Sequence, residues 1–133
     1  ERLNLYSELS TVKTDEELQQ YEQRLIDRFG ELPIQALDLL DSVRLKWFAK
    51  ILGLEKVVLK QKRMIGYFIS DQQSPFYQTE AFTKVLKYIQ QNPTTSVMKE
   101  KQTKSGLRLL ITFIKIDSIE IALERLKKVS GLL

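Results

Sequence analysis

The chain has 133 residues, 43% of them apolar and 29% charged, with a formal net charge of +4; that is enough for one globular domain, taken as 1–133, with a real core. It contains no Cys and no His, which excludes disulfides, thiolate chemistry, Cys-ligated zinc and any triad that needs an imidazole base, and suits a reducing cytoplasm. No run approaches the roughly 20 apolar residues that a membrane helix requires.

Leu3, Leu5, Tyr6 and Leu9 predict a short amphipathic helix over 2–10, so the chain opens inside a helix with Glu1 rather than Met and reads as a fragment of something larger. Thr14 and Glu17 form an S/T-x-x-E capping box, followed by Leu18, Tyr21, Leu25 and Phe29 at helical spacing. Gly30 then ends that helix, and Pro33 suits the first turn of the next, with Phe29 and Leu32 expected to bury the corner between them. A wide apolar stripe from Ala36 to Ile51 predicts a central helix stopped by Gly53.

Beyond this point the period changes from 3.6 to 2. Val57 and Leu59 alternate with Lys56, Lys60 and Lys62 as in a half-exposed strand, and Ile65, Tyr67 and Ile69 follow as a second, after an Arg63-Met64 connection. Residues 71–75 carry turn chemistry. Phe82, Val85, Leu86 and Ile89 predict a helix over 79–91, stopped at Asn92-Pro93. Residues 97–103 and Leu107, Leu109, Ile111 and Phe113 read as a hairpin turning at Lys104-Ser105-Gly106, and Asp117 and Glu120 start a last helix. The expectation is an α+β domain: N-terminal helices, then β-β-α-β-β-α, with a four-stranded antiparallel sheet covered by helices.

Chemical motifs are sparse. There is no phosphate-binding Gly-rich loop. The pairs Glu16/Glu17 and Asp38/Asp41 fall on exposed helix faces, where solvated carboxylates are far commoner than metal ligands. No catalytic residue, cofactor or metal is therefore expected. Charge is the informative property: residues 1–54 hold 7 Lys+Arg and 10 Asp+Glu, a net of −3, whereas residues 55–133 hold 14 and 7, a net of +7. Each half is either a solvated surface or a steering surface for a partner of opposite sign. In the basic half Lys99, Lys101, Lys104 and Arg108 are candidate phosphate contacts, with Lys56, Lys60, Lys62 and Arg63 on the first hairpin. Tyr67, Phe68 and Phe113 read as core, which leaves the basic strands without stacking partners, and strand lysines also block edge-to-edge aggregation.

Four signatures in order give a resemblance: Glu1-Arg2-Leu3-Asn4-Leu5-Tyr6, Thr14-Asp15-Glu16-Glu17-Leu18, the corner Asp-Arg-Phe-Gly-Glu-Leu-Pro at 27–33, and a long helix with Arg44-Leu45 ending near Leu52-Gly53. Over residues 1 to 54 the chain resembles the C-terminal domain of the bacterial transcription-repair coupling factors; beyond that the similarity is one of organisation. The corner residues Arg28, Phe29, Gly30 and Pro33 define the fold rather than a site. The resemblance implies a non-catalytic domain of a multidomain protein that removes stalled RNA polymerase from damaged DNA and recruits UvrA, its ATP-dependent translocase motifs lying in other domains. It implies docking on the parent's UvrB-like N-terminal module, masking the UvrA-binding surface. An acidic docking face is expected at Asp27, Glu31, Asp38 and Asp41; the alternative is a basic nucleic-acid-binding module.

Overall fold

The computed structural model describes residues 8–131. The chain divides into two compact units, Glu1–Leu40 and Asp41–Leu133. Of the helix expected over 2–10, residues 2–7 lie outside the described residues; Glu8 and Leu9 are helical.

In the first unit, α1 spans Asp15–Phe29. The Thr14 Oγ1 accepts the Glu17 N–H at 3.1 Å, and the Glu17 carboxylate accepts the Lys13 N–H at 2.9 Å, so two helix-start donors are satisfied by side chains. Asp15, Glu16 and Glu17 in the first turn face the positive end of the helix dipole. Leu18, Tyr21 and Leu25 form its buried face. The helix stops at Gly30, whose φ of 81° and ψ of −159° lie in a region essentially confined to glycine. Leu32 is buried, but Phe29 is 42% exposed, so the corner is closed by one apolar side chain rather than two. Pro33 immediately precedes α2, Ile34–Ile51, and its carbonyl accepts the first helical N–H groups.

The second unit holds β1 (Leu54–Lys60), β2 (Arg63–Phe68), a 3₁₀ turn (Pro75–Gln78), α3 (Glu80–Gln91), β3 (Ser96–Thr103), β4 (Gly106–Phe113) and α4 (Ile119–Ser130). The fold is α+β, with one four-stranded antiparallel sheet in the order β1-β2-β4-β3. The β1–β2 connection is Gln61-Lys62, not Arg63-Met64: Lys60 pairs with Arg63, leaving a two-residue turn. Both turn residues have positive φ, 52° and 60°, as a primed hairpin turn requires, at a cost of order 1 kcal/mol each for residues other than glycine. The Ile116 N–H bonds the Lys62 carbonyl at 2.9 Å and secures the turn.

Alternation sorts the strands into two faces. Val57, Gly66, Ile111 and Met98 are successive cross-strand partners, and with Met64, Phe68 and Phe113 they face the core. Leu45, Ala49 and Leu52 of α2, Val85 of α3, and Ala122 and Leu126 of α4 complete that core. Each fully buried Leu, Met or Phe here contributes about 1.5–3 kcal/mol of transfer free energy. At one end of the sheet Phe82 packs edge-on against Phe68, Phe76 and Tyr77, with centroids 5.1–5.7 Å apart. Phe76 lies against the backbone of Gly53 (φ 76°), where an added Cβ would meet the ring at 2.3 Å.

Three substitutions test this geometry. Gly30→Ala meets no neighbour within 4 Å and should cost about 1–2 kcal/mol, from backbone strain alone. Gly53→Ala adds a clash and should cost about 1–3 kcal/mol more; equal denaturant midpoints for the two variants would contradict this. Ser96 is 1% exposed and its hydroxyl has no hydrogen-bond partner among the described residues, so Ser96→Ala should be neutral or stabilising by up to about 1 kcal/mol in the same assay, because it removes an unsatisfied polar group.

Candidate functional site

The acidic residues of the helical half differ in their surroundings. Asp27, near the end of α1, is exposed and accepts a hydrogen bond from the Gln23 amide at 3.0 Å. Glu31 in the corner and Asp38 on α2 are exposed, and neither is ion-paired among the described residues. Asp41 is half-buried and sits 3.1 Å from the Arg44 guanidinium, so its charge is already met within the second unit. At the corner the Arg28 guanidinium lies 5.0 Å from the Phe29 ring centroid. Arg28 and Phe29 also border a hollow of about 480 Å³ with Glu8, Tyr21 and Arg24. There the Tyr21 hydroxyl donates to the Glu8 carboxylate at 2.5 Å. Burial, reinforced by that bond, pushes the Tyr21 hydroxyl well above its ordinary range.

The two basic turns do not come together. The β1–β2 turn sits where β4 ends, beside Phe113, and the β3–β4 turn where β4 begins. Lys62 and Lys104 therefore mark opposite ends of the sheet. Lys99 and Lys101 are exposed, and both point away from the core. Arg108, opposite Lys101, is tied down: its Nη2 is 2.7 Å from the Glu55 carboxylate, and its Nε donates to the Phe68 carbonyl at 3.3 Å. It lies 5.3 Å from the Tyr67 ring centroid, as does the Lys56 ammonium.

Tyr67 corrects the sequence reading. Phe68 and Phe113 enter the core at 1% exposure each, but Tyr67 is half-exposed on the opposite face, paired with Lys56 on one side and Leu110 on the other. The signal was parity: Met64, Gly66 and Phe68 share one side of β2, and Ile65 and Tyr67 the other. A groove of about 890 Å³ beside β1 has Leu45, Ala49 and Leu54 in its floor and Lys46 and Lys56 on its rim. No group of three or more carboxylates that could hold a metal occurs among the described residues, and no helix of theirs is long and apolar enough to cross a membrane.

A charged α+β domain with two separately built surfaces defines the class, and comparison with known proteins gives the family. A family model described as the TRCF domain matches residues 1–79. The transcription-repair-coupling factor of Staphylococcus epidermidis is 31% identical over 123 residues, covering 86% of this chain and 10% of that protein. Its namesake in Escherichia coli K12 is 43% identical over 61 residues, covering 46% of this chain and 5% of that protein. A crystal structure of the C-terminal domain of transcription-repair coupling factor matches with a TM-score of 0.63 at 19% identity, covering 95% of this chain and 78% of that one, a likeness of fold. The chain belongs to the transcription-repair coupling factor family, and it spans a tenth or less of the length of these curated relatives.

The raised Tyr21 hydroxyl has a measurable consequence. Its folded-state pKa lies above the ordinary value of 10.0, so its contribution to stability is complete below that pH and is lost as the pH rises beyond it. Between about pH 9 and about pH 11 the wild type should lose more stability than Tyr21→Phe, as read by denaturant midpoints; parallel losses would refute the assignment.

Proposed function

We propose that this chain is the non-catalytic, regulatory C-terminal domain of a transcription-repair coupling factor, docking on the parent's UvrB-like N-terminal module and masking the UvrA-binding surface there. The observation that carries the reading is the set of exposed carboxylates Asp27, Glu31 and Asp38 on the helical unit, none of them ion-paired among the described residues. The UvrB-like module that the resemblance implies presents arginines at the surface to be masked. Carboxylates already solvated and free of internal cations are suited to meet them, since a guanidinium fork matches a carboxylate in both charge and shape. Asp41, held by Arg44, contributes less than its position on the helix implies.

In this reading ATP hydrolysis and DNA translocation belong to other domains of the parent. The domain acts in the cytoplasm, on excision repair, by controlling when UvrA is admitted. RNA polymerase, UvrA and DNA are partners of the parent, and the direct partner of this chain is intramolecular.

The test is charge reversal in the full-length factor. Replacing Asp27, Glu31 and Asp38 by Lys should open the protein to UvrA, because breaking a desolvated charge pair costs roughly 2–5 kcal/mol. Reversing Asp41 should mainly lower domain stability. If the folded triple variant stays as closed to UvrA as the wild type, while reversal of Lys60, Lys62 and Arg63 opens it, the docking face is the basic one.

A further inference from the structure

The face of the sheet that points away from the core has a composition of its own. One cross-strand row runs through all four strands as Lys56, Tyr67, Leu110 and Lys99. The neighbouring row is Val58, Ile65, Thr112 and Val97, and Arg108 stands opposite Lys101 beyond the first. By parity Lys60 and Arg63 share this face. The strand positions on this face thus supply six cations, and the nearest carboxylate, Glu55, is bound to Arg108 at 2.7 Å. Glu100 points to the other side with its partner Leu109. Lys56, Lys99 and Lys101 are exposed, and Val97 is 42% exposed.

We infer that this face binds single-stranded nucleic acid, with Tyr67 stacking a base and Lys56, Lys99 and Lys101 holding the flanking phosphates. Lys56 and Lys99 are three strand spacings apart, roughly 14 Å, and a four-stranded sheet of that width accommodates two or three unstacked bases. Tyr67 is positioned for stacking: Arg108, fixed by Glu55 and by the Phe68 carbonyl, lies 5.3 Å from its ring centroid and buttresses it. The Lys56 ammonium at the same distance is on an exposed side chain with no ion pair among the described residues. A base displacing it exchanges an exposed cation–π contact for the stronger base–aromatic stack and releases the ammonium to a phosphate. Any base can stack here, since every base has a π-face, and the half-buried Ile65 and Val58 offer apolar surface on the same side of the sheet, whereas Leu110 is buried beneath its neighbours. Polyglutamate would use the lysines but has no ring to stack on Tyr67.

The experiment is fluorescence anisotropy of the 133-residue chain with a labelled oligothymidine of about 12 nucleotides, against the same length of duplex and against polyglutamate as competitor, over a salt series. The single strand should bind more tightly than the duplex. Tyr67→Leu should weaken it about tenfold, and Tyr67→Phe should leave it unchanged. Lys99→Gln and Lys101→Gln, both at exposed positions, should each lower the log–log salt slope by about 0.7. Thermal melts confirm the fold of each variant; if Tyr67→Leu does not fold, the lysine variants and Tyr67→Phe decide. Failure of oligothymidine to bind overturns the inference. So does duplex binding of equal strength, or competition by polyglutamate that Tyr67→Leu does not affect, which would make the face an acidic-protein surface. None of these outcomes bears on Asp27, Glu31 or Asp38, so the docking reading stands or falls separately.

Discussion

The cross-strand register that aligns Val57, Gly66, Ile111 and Met98 is the constraint on which the second unit depends. Side chains alternate along a strand, so a slip of one residue in any pairing would carry that strand's apolar set out of the core and drive its lysines in. The cost of burying even one unpaired ammonium exceeds what a slipped strand could recover. The same alternation that buries Met64, Phe68, Ile111 and Phe113 therefore places Lys56, Tyr67, Leu110 and Lys99 together on the other side. The core and the basic face are consequences of one register.

The connections reinforce that register at both ends of the sheet. At one end, the Gln61-Lys62 turn accepts left-handed backbone at two residues other than glycine because Lys60 and Arg63 must pair, and the Ile116 N–H holds the turn in place. At the other, the crossing from β2 to α3 is pinned by aromatic packing around Phe82, and by the Tyr77 hydroxyl donating to the Ile69 carbonyl. Burial, reinforced by the charge of Glu55, raises the Tyr77 hydroxyl's pKa above its ordinary value. Arg108 bridges Glu55, next to the start of β1, to the end of β2, and so ties three strands near that end.

Family membership and surface chemistry answer different questions here. The match over residues 1–79 and the identity to curated coupling factors place the chain in its family. The 10% of the Staphylococcus epidermidis protein that it spans is a domain's share, and what the domain does must be argued from its own side chains. Exposed carboxylates lie on the helical unit and exposed lysines around a tyrosine on the sheet, and each surface attracts charge of the opposite sign.

Much of the secondary structure was legible in the sequence because its signals are local. The Thr14–Glu17 cap, Gly30 and the 3.6-residue spacing of Leu18, Tyr21 and Leu25 set α1 to within a residue. Val57 and Leu59, and Leu107 to Phe113, showed their strands by period 2. The 3₁₀ turn at Pro75–Gln78 was not foreseen, although its start is local: the Ser74 hydroxyl accepts the Phe76 N–H and Pro75 follows at the first position. The Asp41–Arg44 pair was legible too, since i,i+3 neighbours on one helix meet, whereas Asp38 has no cation at that spacing on its C-terminal side. Three matters were decided in tertiary structure. Phe29 sits on helical spacing but is left exposed. The strand order put β1 and β3, which carry the two basic runs, at opposite edges of the sheet, and the register brought Lys56 and Lys99 into one cross-strand row. Tyr67, between Gly66 and Phe68, could face either way until pairing with β4 chose the parity of β2. Sequence by itself determined the helices, the strands and the division of charge, since each rests on neighbours along the chain; which residues share a face required the register, since that rests on partners tens of residues away.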